Sequence, residues 1–539
     1  MARNLTSTSF AGSTPRRASH LVQLGDARKA VDCRLWHGTL QAWREPRPVR
    51  ALGENTKSVY QAYNCCWLES TTCASFAQGA VETSHVFATG YNDLPYPVRI
   101  VTDDVCEPQV YRLGLPCPEA APDVLASTTL TKGSAPRQYI IQYEDSFGNR
   151  SAGSPPSAQV IVTDGAGVLL SGWSVPAGDW DIQHLVISRS TAGFDSPFSE
   201  DKNEQDATWM VVDRIPATQP TYTDYVNDID LYDAVQQDSP RPPPAGLRGL
   251  TWVQSMNCLV GFIGNKLYFS TNNQYHDWQS ELTLDDNIRG IVESNDIIYV
   301  GTDGHPYAIG GAVDCKAAGC REVIRMPEPL PLVGSGARGI IATPSGAIYA
   351  THQGLALMSG KGAPVIFTAG LYAEDDWQKL HPDTAVLAYF EGKLFAFLRK
   401  GAFCITIKDG AGTGIDTDVH TELSLRAAEA VVSRTGRLYF RFGAVLSEWN
   451  RGSQLMPYRY ETGTSTTGVP INFAAAQVIQ EPGEVHVQIY ADDALALDET
   501  ALKSTVFSLP QWAAQEFRWV LSGTATVKSI GLAPSTKEL

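Results

Sequence analysis

Along most of the chain, apolar residues alternate with polar ones or fall in short runs cut by Gly, Pro, Asn and Asp. Hardly any stretch repeats them at the i, i+3, i+4, i+7 spacing of an amphipathic helix, so the pattern predicts a mainly β protein. The clearest helix is expected at 373–380, where Glu374, Asp375 and Asp376 suit a helix N-terminus and Pro382 follows the end. Residues 1–125 mix strand-like runs (31–40, 84–88, 98–101) with Pro-rich loops and predict a leading β region, a platform or a completer of later sheets. From 126 to 238 the alternation sharpens. Strands are expected at 138–143, 158–162, 185–188, 209–212 and 221–223, with a turn over Asp145-Ser146-Phe147-Gly148-Asn149.

Several short strands separated by turn chemistry describe a two-sheet sandwich. Tyr143, Phe147-Gly148, Ser151, Pro155-Pro156, Ser188-Arg189-Ser190 and Tyr222-Thr223-Asp224 together resemble a fibronectin type III module. The Pro-rich stretch 239–245 cannot be helix or central strand and predicts an extended linker. Beyond it, an aromatic strand recurs around Leu267, Ile298, Ile348, Leu394 and Leu438, at intervals of 31, 50, 46 and 44. A turn pair precedes each strand, from Gly264-Asn265 and Asn295-Asp296 to Thr435-Gly436. All but the first interval fit the roughly 40–50 residue period of four-stranded propeller blades. A β-propeller over 246–465 is therefore expected, with an irregular β-meander as the alternative and some blades completed by earlier chain. Alternation returns at 485–490 and 527–532, which predicts a small C-terminal β-domain over 466–539.

Composition narrows the function classes. The 539 residues are too many for one hydrophobic core, and 43% hydrophobic residues argue against global disorder. A formal net charge of −16 argues against a protein that grips nucleic acid by neutralising phosphates. The first residues lack the apolar stretch of a secretory signal, and no window reaches about 18 uninterrupted apolar residues. A soluble product of a cytoplasm without stable membrane insertion is expected, with its ten cysteines as thiols. The terminal Lys537-Glu538-Leu539 is one residue short of an ER-retention signal and is set aside.

The chemistry-bearing residues do not assemble into a motif. Cys315 and Cys320 have a spacing zinc tolerates but no second ligand pair. Asp224, Asn227, Asp228, Asp230 and Asp233 offer oxygens, yet the glycine and downstream glutamate of a calcium loop are missing, and a solvated turn is the plainer account. His276 and His352 sit beside strand ends as turn or packing residues. The acidic clusters Asp285-Asp286, Glu374-Asp375-Asp376 and Asp492-Asp493 read as turns or a helix start rather than a glycosidase pair. Phosphate-binding loops of the Walker and dinucleotide types are missing. No catalytic residue, cofactor or metal is expected, and the chain is read as a non-enzyme.

The most specific run is Leu259-Val260-Gly261-Phe262-Ile263-Gly264-Asn265-Lys266-Leu267-Tyr268-Phe269-Ser270, then Tyr275-His276-Asp277-Trp278 and Ile298-Tyr299-Val300-Gly301-Thr302-Asp303-Gly304. Its apolar hairpin, His-x-Trp turn and Thr-Asp-Gly hairpin resemble the propeller segment of tail nozzle, or tail tubular protein B-like, proteins of short-tailed bacteriophages. Ala30 to Gly38 resembles a strand and glycine turn near the start of such proteins, and Ser345-Gly346, Asp376-Trp377 and His381-Pro382 also fit. The fibronectin-like insertion is not shared by every nozzle. The resemblance implies a structural virion protein assembled in the host bacterial cytoplasm, a homo-hexamer docked on the adaptor ring and binding tail fibres or receptor-binding proteins. Double-stranded DNA would pass its lumen without sequence-specific binding, retained before infection and released at ejection. Asp285 and Asp286 are then candidate channel-lining acids that would keep DNA from sticking. The alternative is a receptor- or glycan-binding propeller protein of a virion.

Overall fold

The computed structural model describes residues 4–18, 21–63, 65–79, 85–102, 106–126, 134–163, 165–190, 209–231, 239–311, 321–334, 338–410, 414–433 and 435–539. The fold is mainly β, with 50% of residues in strands and 5% in helix. Two compact units divide it, the first taking the chain up to Cys73, Asp285–Gly311 and Arg321–Leu539, the second built on Ala74–Leu284.

In the first unit, consecutive hairpins build four-stranded antiparallel meanders. One runs Ile288–Ser294, Ile297–Thr302, Tyr307–Gly311 and Arg321–Arg325; the next runs Ile340–Thr343, Gly346–Ala350, Leu355–Met358 and Val365–Ile366. Val386–Phe390, Lys393–Phe397, Ala402–Gly410 and Gly414–Glu422 form a third. Tight turns make this possible. Asn295 and Asp296 hold φ of 52° and 63°, and Glu391 and Gly392 hold 47° and 73°, the two left-handed residues that match a hairpin to its strand twist. The aromatics of the second strands are buried between successive sheets. Tyr299 and Tyr349 pack with Ile340 and Met358, and Ile348 and Leu357 pack with Leu387 and Phe403. The first strands of successive meanders lie side by side, the arrangement of propeller blades. The aromatic strand at Lys266–Phe269 is the third of its sheet, whereas the others are second strands, which accounts for the short first interval in the repeat.

A fourth meander, Glu429–Val432, Leu438–Phe442 and Val445–Glu448, has only three strands of its own, and Arg47–Ala51 supplies the outer one. The leading segment does more than that. Leu5–Ser7, Cys33–Trp36 and Thr39–Ala42 join one sheet with Ala475–Gln480, Thr505–Ser508 and Val527–Ala533. Ala27–Val31 joins the facing ladder with Tyr458–Thr462, Val485–Ala491, Ala494–Ala501 and Ala514–Gly523. Leu40, Val478, Ile530 and Leu532 meet Tyr460, Val487, Trp519 and Leu521 between the two sheets. The expected 1–125 region is therefore not one body, because its strands fill sheet edges that lie elsewhere in the chain. The helix forms at Glu374–Lys379, where Trp377 is fully buried and its Nε1–H donates to Thr351 O at 2.8 Å.

The second unit contains two four-stranded meanders, one from Ser75–Ala77 to Pro108–Arg112 and one from Arg248–Val253 to Ser280–Thr283. Phe87 and Leu113 pack with Leu250, Leu259 and Trp278 between them. Between these in sequence, Asp123–Ala126, Val168–Ser171 and Tyr222–Asp224 face Tyr139–Glu144, His184–Ser190 and Trp209–Pro216. Tyr139, Ile141, Leu170 and Ile187 fill the space between the sheets. The edge of Tyr139–Glu144 is covered by a chain with no ladder of its own. Ser151, Ser154 and Ser157 each donate a backbone N–H to, and accept a backbone N–H on their hydroxyls from, Tyr143, Ile141 and Tyr139 respectively, at 2.8–3.0 Å. A serine every third residue is the period of polyproline II, a conformation that Pro155-Pro156 favours.

The 239–245 segment is not a free linker. Arg241 N–H donates to Asp277 Oδ1 at 2.9 Å, and Trp278 N–H donates to Arg241 O at 2.8 Å, so both flanks belong to one unit. The cysteines also depart from expectation. Cys66 and Cys106 are disulfide-bonded, whereas Cys33, Cys258 and Cys404 are buried thiols. Low cysteine density predicts thiols, but it cannot register which sulfurs folding brings together. No helix among the described residues is long and apolar enough to cross a membrane.

Buried charge ties the sandwich to its neighbour. Arg99, on strand Val98–Thr102, donates to Asp145 Oδ2 at 2.8 Å and Asp181 Oδ2 at 2.9 Å, and its guanidinium lies 4.2 Å from the Phe147 ring centroid. All three charged side chains are almost fully buried. Arg99→Met would leave two carboxylates in a dry site, and we predict a loss of about 3–5 kcal/mol in urea unfolding. An unchanged midpoint would show that the two sheets do not depend on this triad.

Candidate functional site

Asp285 and Asp286, adjacent in sequence, part company in the structure. The Asp286 carboxylate accepts the His305 backbone N–H at 3.0 Å and the Tyr307 hydroxyl at 3.3 Å, with His305 Nδ1 at 3.4 Å. The His305 N–H, supported by Tyr307, holds this carboxyl below the usual carboxylate range. A Cβ on Gly304 would stand 2.3 Å from Asp286 Oδ1, so the Thr302-Asp303-Gly304 hairpin needs glycine for this acid to close over it. Asp285 instead exposes 73% of its side chain and has Arg325 Nε at 3.7 Å. Asp286 is a loop fastener, and Asp285 is the acid that solvent sees.

The oxygens around Asp224 are held by arginines rather than left open to a cation. Asp224 accepts from Tyr139 OH at 2.8 Å and Arg189 Nη1 at 2.7 Å, and Asp228 accepts from Arg137 and Arg189. Asp492 Oδ1 likewise receives the N–H groups of Gln515 and Glu516. Asp233, Cys315 and Cys320 lie outside the described residues. Among the described residues no three His, Cys, Asp or Glu side chains gather as a metal site.

Two nodes escaped sequence reasoning because their members lie far apart in the chain. Ser13 Oγ lies 2.8 Å from His420 Nδ1, and Tyr372 OH lies 2.6 Å from Nε2. Ser13 and His420 are buried, and burial pushes the imidazole down to about 4, so the node is a neutral clamp on the leading segment. Glu429, near Arg338 at 3.7 Å and Arg441 at 3.6 Å, is pushed up to about 7, because desolvation outweighs both guanidiniums.

A cleft lies where the leading segment crosses from sandwich to meander. Residues 43–45 run antiparallel to 452–456: Met456 N–H donates to Trp43 O at 2.7 Å, Glu45 N–H to Gln454 O at 2.9 Å, and Gly452 N–H to Glu45 O at 2.6 Å. Gly452 is required, since a Cβ there would meet Glu45 O at 2.5 Å. Against this crossover lies a cavity of about 490 Å³ lined by Arg34, Gln41, Arg44, Asn450, Arg451 and Thr526 among others, with no carboxylate in its wall. A second cavity of about 230 Å³ shares Arg34, Asn450 and Arg451 and adds Trp43, Lys393, Arg437, Glu391 and Glu448. The two are thus lined by five cations and two acids. Glu448 is 2% exposed and is paired with Arg47, with Arg437 at 3.4 Å and with Arg451 at 3.7 Å. Arg34 lies 5.4 Å from the Trp43 ring centroid, and the Arg44 backbone N–H donates to Asn450 Oδ1 at 2.8 Å. The local balance is opposite in sign to the chain as a whole.

No family model matches the chain, and no curated protein matches it. Similar solved structures include the β-propeller domain of Myceliophteria thermophila Cps50 (Swd1), 10% identical over 50% of this chain and 81% of that one, with a TM-score of 0.28. Kluyvelomyces marxianus Hsv2 is 12% identical over 50% of this chain and 70% of that one, with a TM-score of 0.23. A streptogramin B lyase is 8% identical over 76% of this chain and 97% of that one, with a TM-score of 0.29. At such identities and TM-scores these likenesses carry no argument about function.

Two sets of measurements follow from the site geometry. Asp286→Asn should lower stability by about 1–3 kcal/mol, because a charged acceptor of a backbone N–H is lost, while Asp285→Asn should stay within about 0.5 kcal/mol. Equal effects in denaturant unfolding would refute the division of roles. The second set concerns pH. His420 has a folded pKa below its unfolded value near 6.5, so its contribution is present above that value and lost as pH falls toward about 4, by up to about 3 kcal/mol. Glu429 has a raised folded pKa, so its contribution is present below about 4.5 and lost as pH rises through about 7. The two slopes oppose each other. His420→Gln should flatten the acid limb of a thermal-unfolding profile, and Glu429→Gln should remove the loss of stability that Glu429 causes as pH rises from about 4.5 to about 7. Variant profiles parallel to wild type would exclude both assignments.

Proposed function

We propose that this chain is a structural virion protein that forms the distal tail nozzle or tube ring of a short-tailed bacteriophage. In this reading it is a homo-hexamer that continues the DNA channel below the adaptor, binds fibres or receptor-binding proteins at its side, retains the genome and lets it pass at ejection. The role is mechanical and needs no catalytic residue or cofactor. The sandwich at 126–238 would be a fibronectin type III-like module, and the meanders would close into a propeller.

One observation carries the reading. The leading segment is woven into both sheets of the sandwich built on 458–533 and into the last meander, through Leu5–Ser7, Ala27–Val31, Cys33–Trp36, Thr39–Ala42 and Arg47–Ala51. A chain whose start is locked into sheets formed by its end resists being peeled from that side, because several ladders must break together. That suits a wall holding back a packed genome. The residue runs at 259–270 and 298–304 that resemble nozzle propellers point the same way. Sixfold assembly would use heterologous contacts closed by rotation. Of the two acids first considered for the lumen, Asp285 is the one whose exposure suits that place.

Negative-stain microscopy of the purified full chain, alone and with an adaptor ring, tests the proposal. A closed six-membered ring with a lumen wide enough for duplex DNA is expected. A protein that stays monomeric with the adaptor present would overturn the nozzle assignment in favour of a receptor-binding protein.

A further inference from the structure

We propose that the arginine-lined cleft at the 43–45 crossover binds a condensed phosphate, the pyrophosphate or triphosphate group of a free polyphosphate or of a nucleotide. The proposal does not depend on the nozzle reading, since it rests on the donor set alone. Three guanidiniums, Arg34, Arg44 and Arg451, line the larger cavity beside the amides of Gln41 and Asn450 and the hydroxyls of Thr524 and Thr526. Asn450 Oδ1 already accepts the Arg44 backbone N–H, which leaves its amide NH₂ to donate. Among the described residues the Arg44 side chain meets no carboxylate. Such a wall carries three guanidiniums and no carboxylate, although Arg451 also lies 3.7 Å from Glu448 and Gln41 Nε2 already donates to Thr39 Oγ1.

Charge and oxygen count select the ligand class. A carboxylate brings one charge and two oxygens and would leave most of these donors unmatched, whereas phosphate brings up to two charges and takes forked guanidinium pairs. A single phosphate underfills a cavity of about 490 Å³. The site also extends through the shared Arg34, Asn450 and Arg451 into the second pocket, where Lys393 and Arg437 stand beside Glu391 and Glu448, the latter paired with Arg437 and Arg451. Trp43 there is 5% exposed, and its buried Nε1–H finds no acceptor among the described residues. A buried donor without a partner is costly by roughly 1–3 kcal/mol unless something accepts from it. An elongated, multiply charged oxyanion satisfies both pockets at once. The two tryptophans nearby, Trp43 and Trp449, are buried against each other at 5.4 Å, so they offer no open face to a nucleobase.

Isothermal titration of the full chain with sodium tripolyphosphate tests this, with adenosine triphosphate, orthophosphate, a short DNA duplex and polyglutamate as parallel arms. Tripolyphosphate should bind at least about tenfold tighter than orthophosphate and weaken with added salt. Adenosine triphosphate binding no tighter than tripolyphosphate identifies the phosphate chain alone as the ligand; about tenfold tighter binding identifies a nucleotide. Arg44→Ala is the informative variant, because that side chain is exposed, and it should weaken tripolyphosphate by about tenfold or more while leaving the melting temperature of the free protein unchanged. Arg44→Lys should recover part of the loss. No heat with tripolyphosphate at millimolar concentration, full affinity in Arg44→Ala, or tighter binding of polyglutamate or the duplex would each overturn the proposal.

Discussion

Ala27–Val31 is the strand on which the first unit depends. It pairs antiparallel with Tyr458–Thr462 and, through Val31 and Glu422, parallel with Gly414–Glu422. A blade-like meander and a sandwich sheet thereby become one continuous ladder of ten strands. Ala27 and Ala30 are fully buried, and their smallness lets Phe10 and Tyr460 pack edge to face beside them. Asp32 ends the strand with φ of 54°, its N–H donating to Glu422 O and its Oδ1 accepting the Ser424 N–H, both at 2.9 Å. Past that bend the chain enters the facing sheet, crosses to the last meander and completes it. Few contacts of this segment are local. Loop closure over some four hundred residues precedes any reward from them, so folding of this unit is expected to be slow for its size and to finish with the leading segment.

That same constraint limits what the amino-acid pattern reveals. Local features were legible: the hairpins around Asn295-Asp296 and Glu391-Gly392, the short helix at Trp377, and the second-strand aromatics that recur from Tyr299 to Phe440. Each depends on residues within a few positions. Pairing partners were not legible, because the edge strands Arg47–Ala51 and Cys33–Trp36 look the same whether they pair nearby or with chain some four hundred residues away. The Pro-rich segment at 239–245 reads as a linker by composition, and only the folded turn at Asp277 shows what the Arg241 N–H between its prolines is for. The serine period at 151–157 was a signal open to reading. Three serines at spacing three beside Pro155-Pro156 mark a polyproline II chain able to cap a strand edge.

Net charge tells a similar story. The value of −16 describes solubility and association, whereas the individual charges are sorted by what they touch. Arg99 and Arg189 are buried on paired carboxylates, Asp286 is bound by a backbone N–H, and Glu448 is surrounded by three guanidiniums. A cationic cleft on an acidic chain is compatible with that balance because local fields decay within about 8 Å at physiological ionic strength. The five cations of the cleft were not adjacent in any motif, so no spacing rule could have found them.

The cleft and the closure of the chain are one piece of geometry. Arg34 and Arg44 come from the leading segment, Asn450 and Arg451 from the return of the last meander, and Thr524 and Thr526 from the turn before the final strand. Arg34 and Arg44 are not near the other groups until residues 27–51 have docked. A ligand held there binds only the docked form and stabilises it by mass action, by about 2.7 kcal/mol at a hundredfold excess over its dissociation constant. Occupancy of the cleft and retention of the leading segment are therefore thermodynamically linked. The Ser13–His420 clamp holds an earlier part of the leading segment, and it weakens as pH falls. An anion in the cleft and neutral pH at the clamp thus stabilise one structural state, the closed one, through contacts that share no residue.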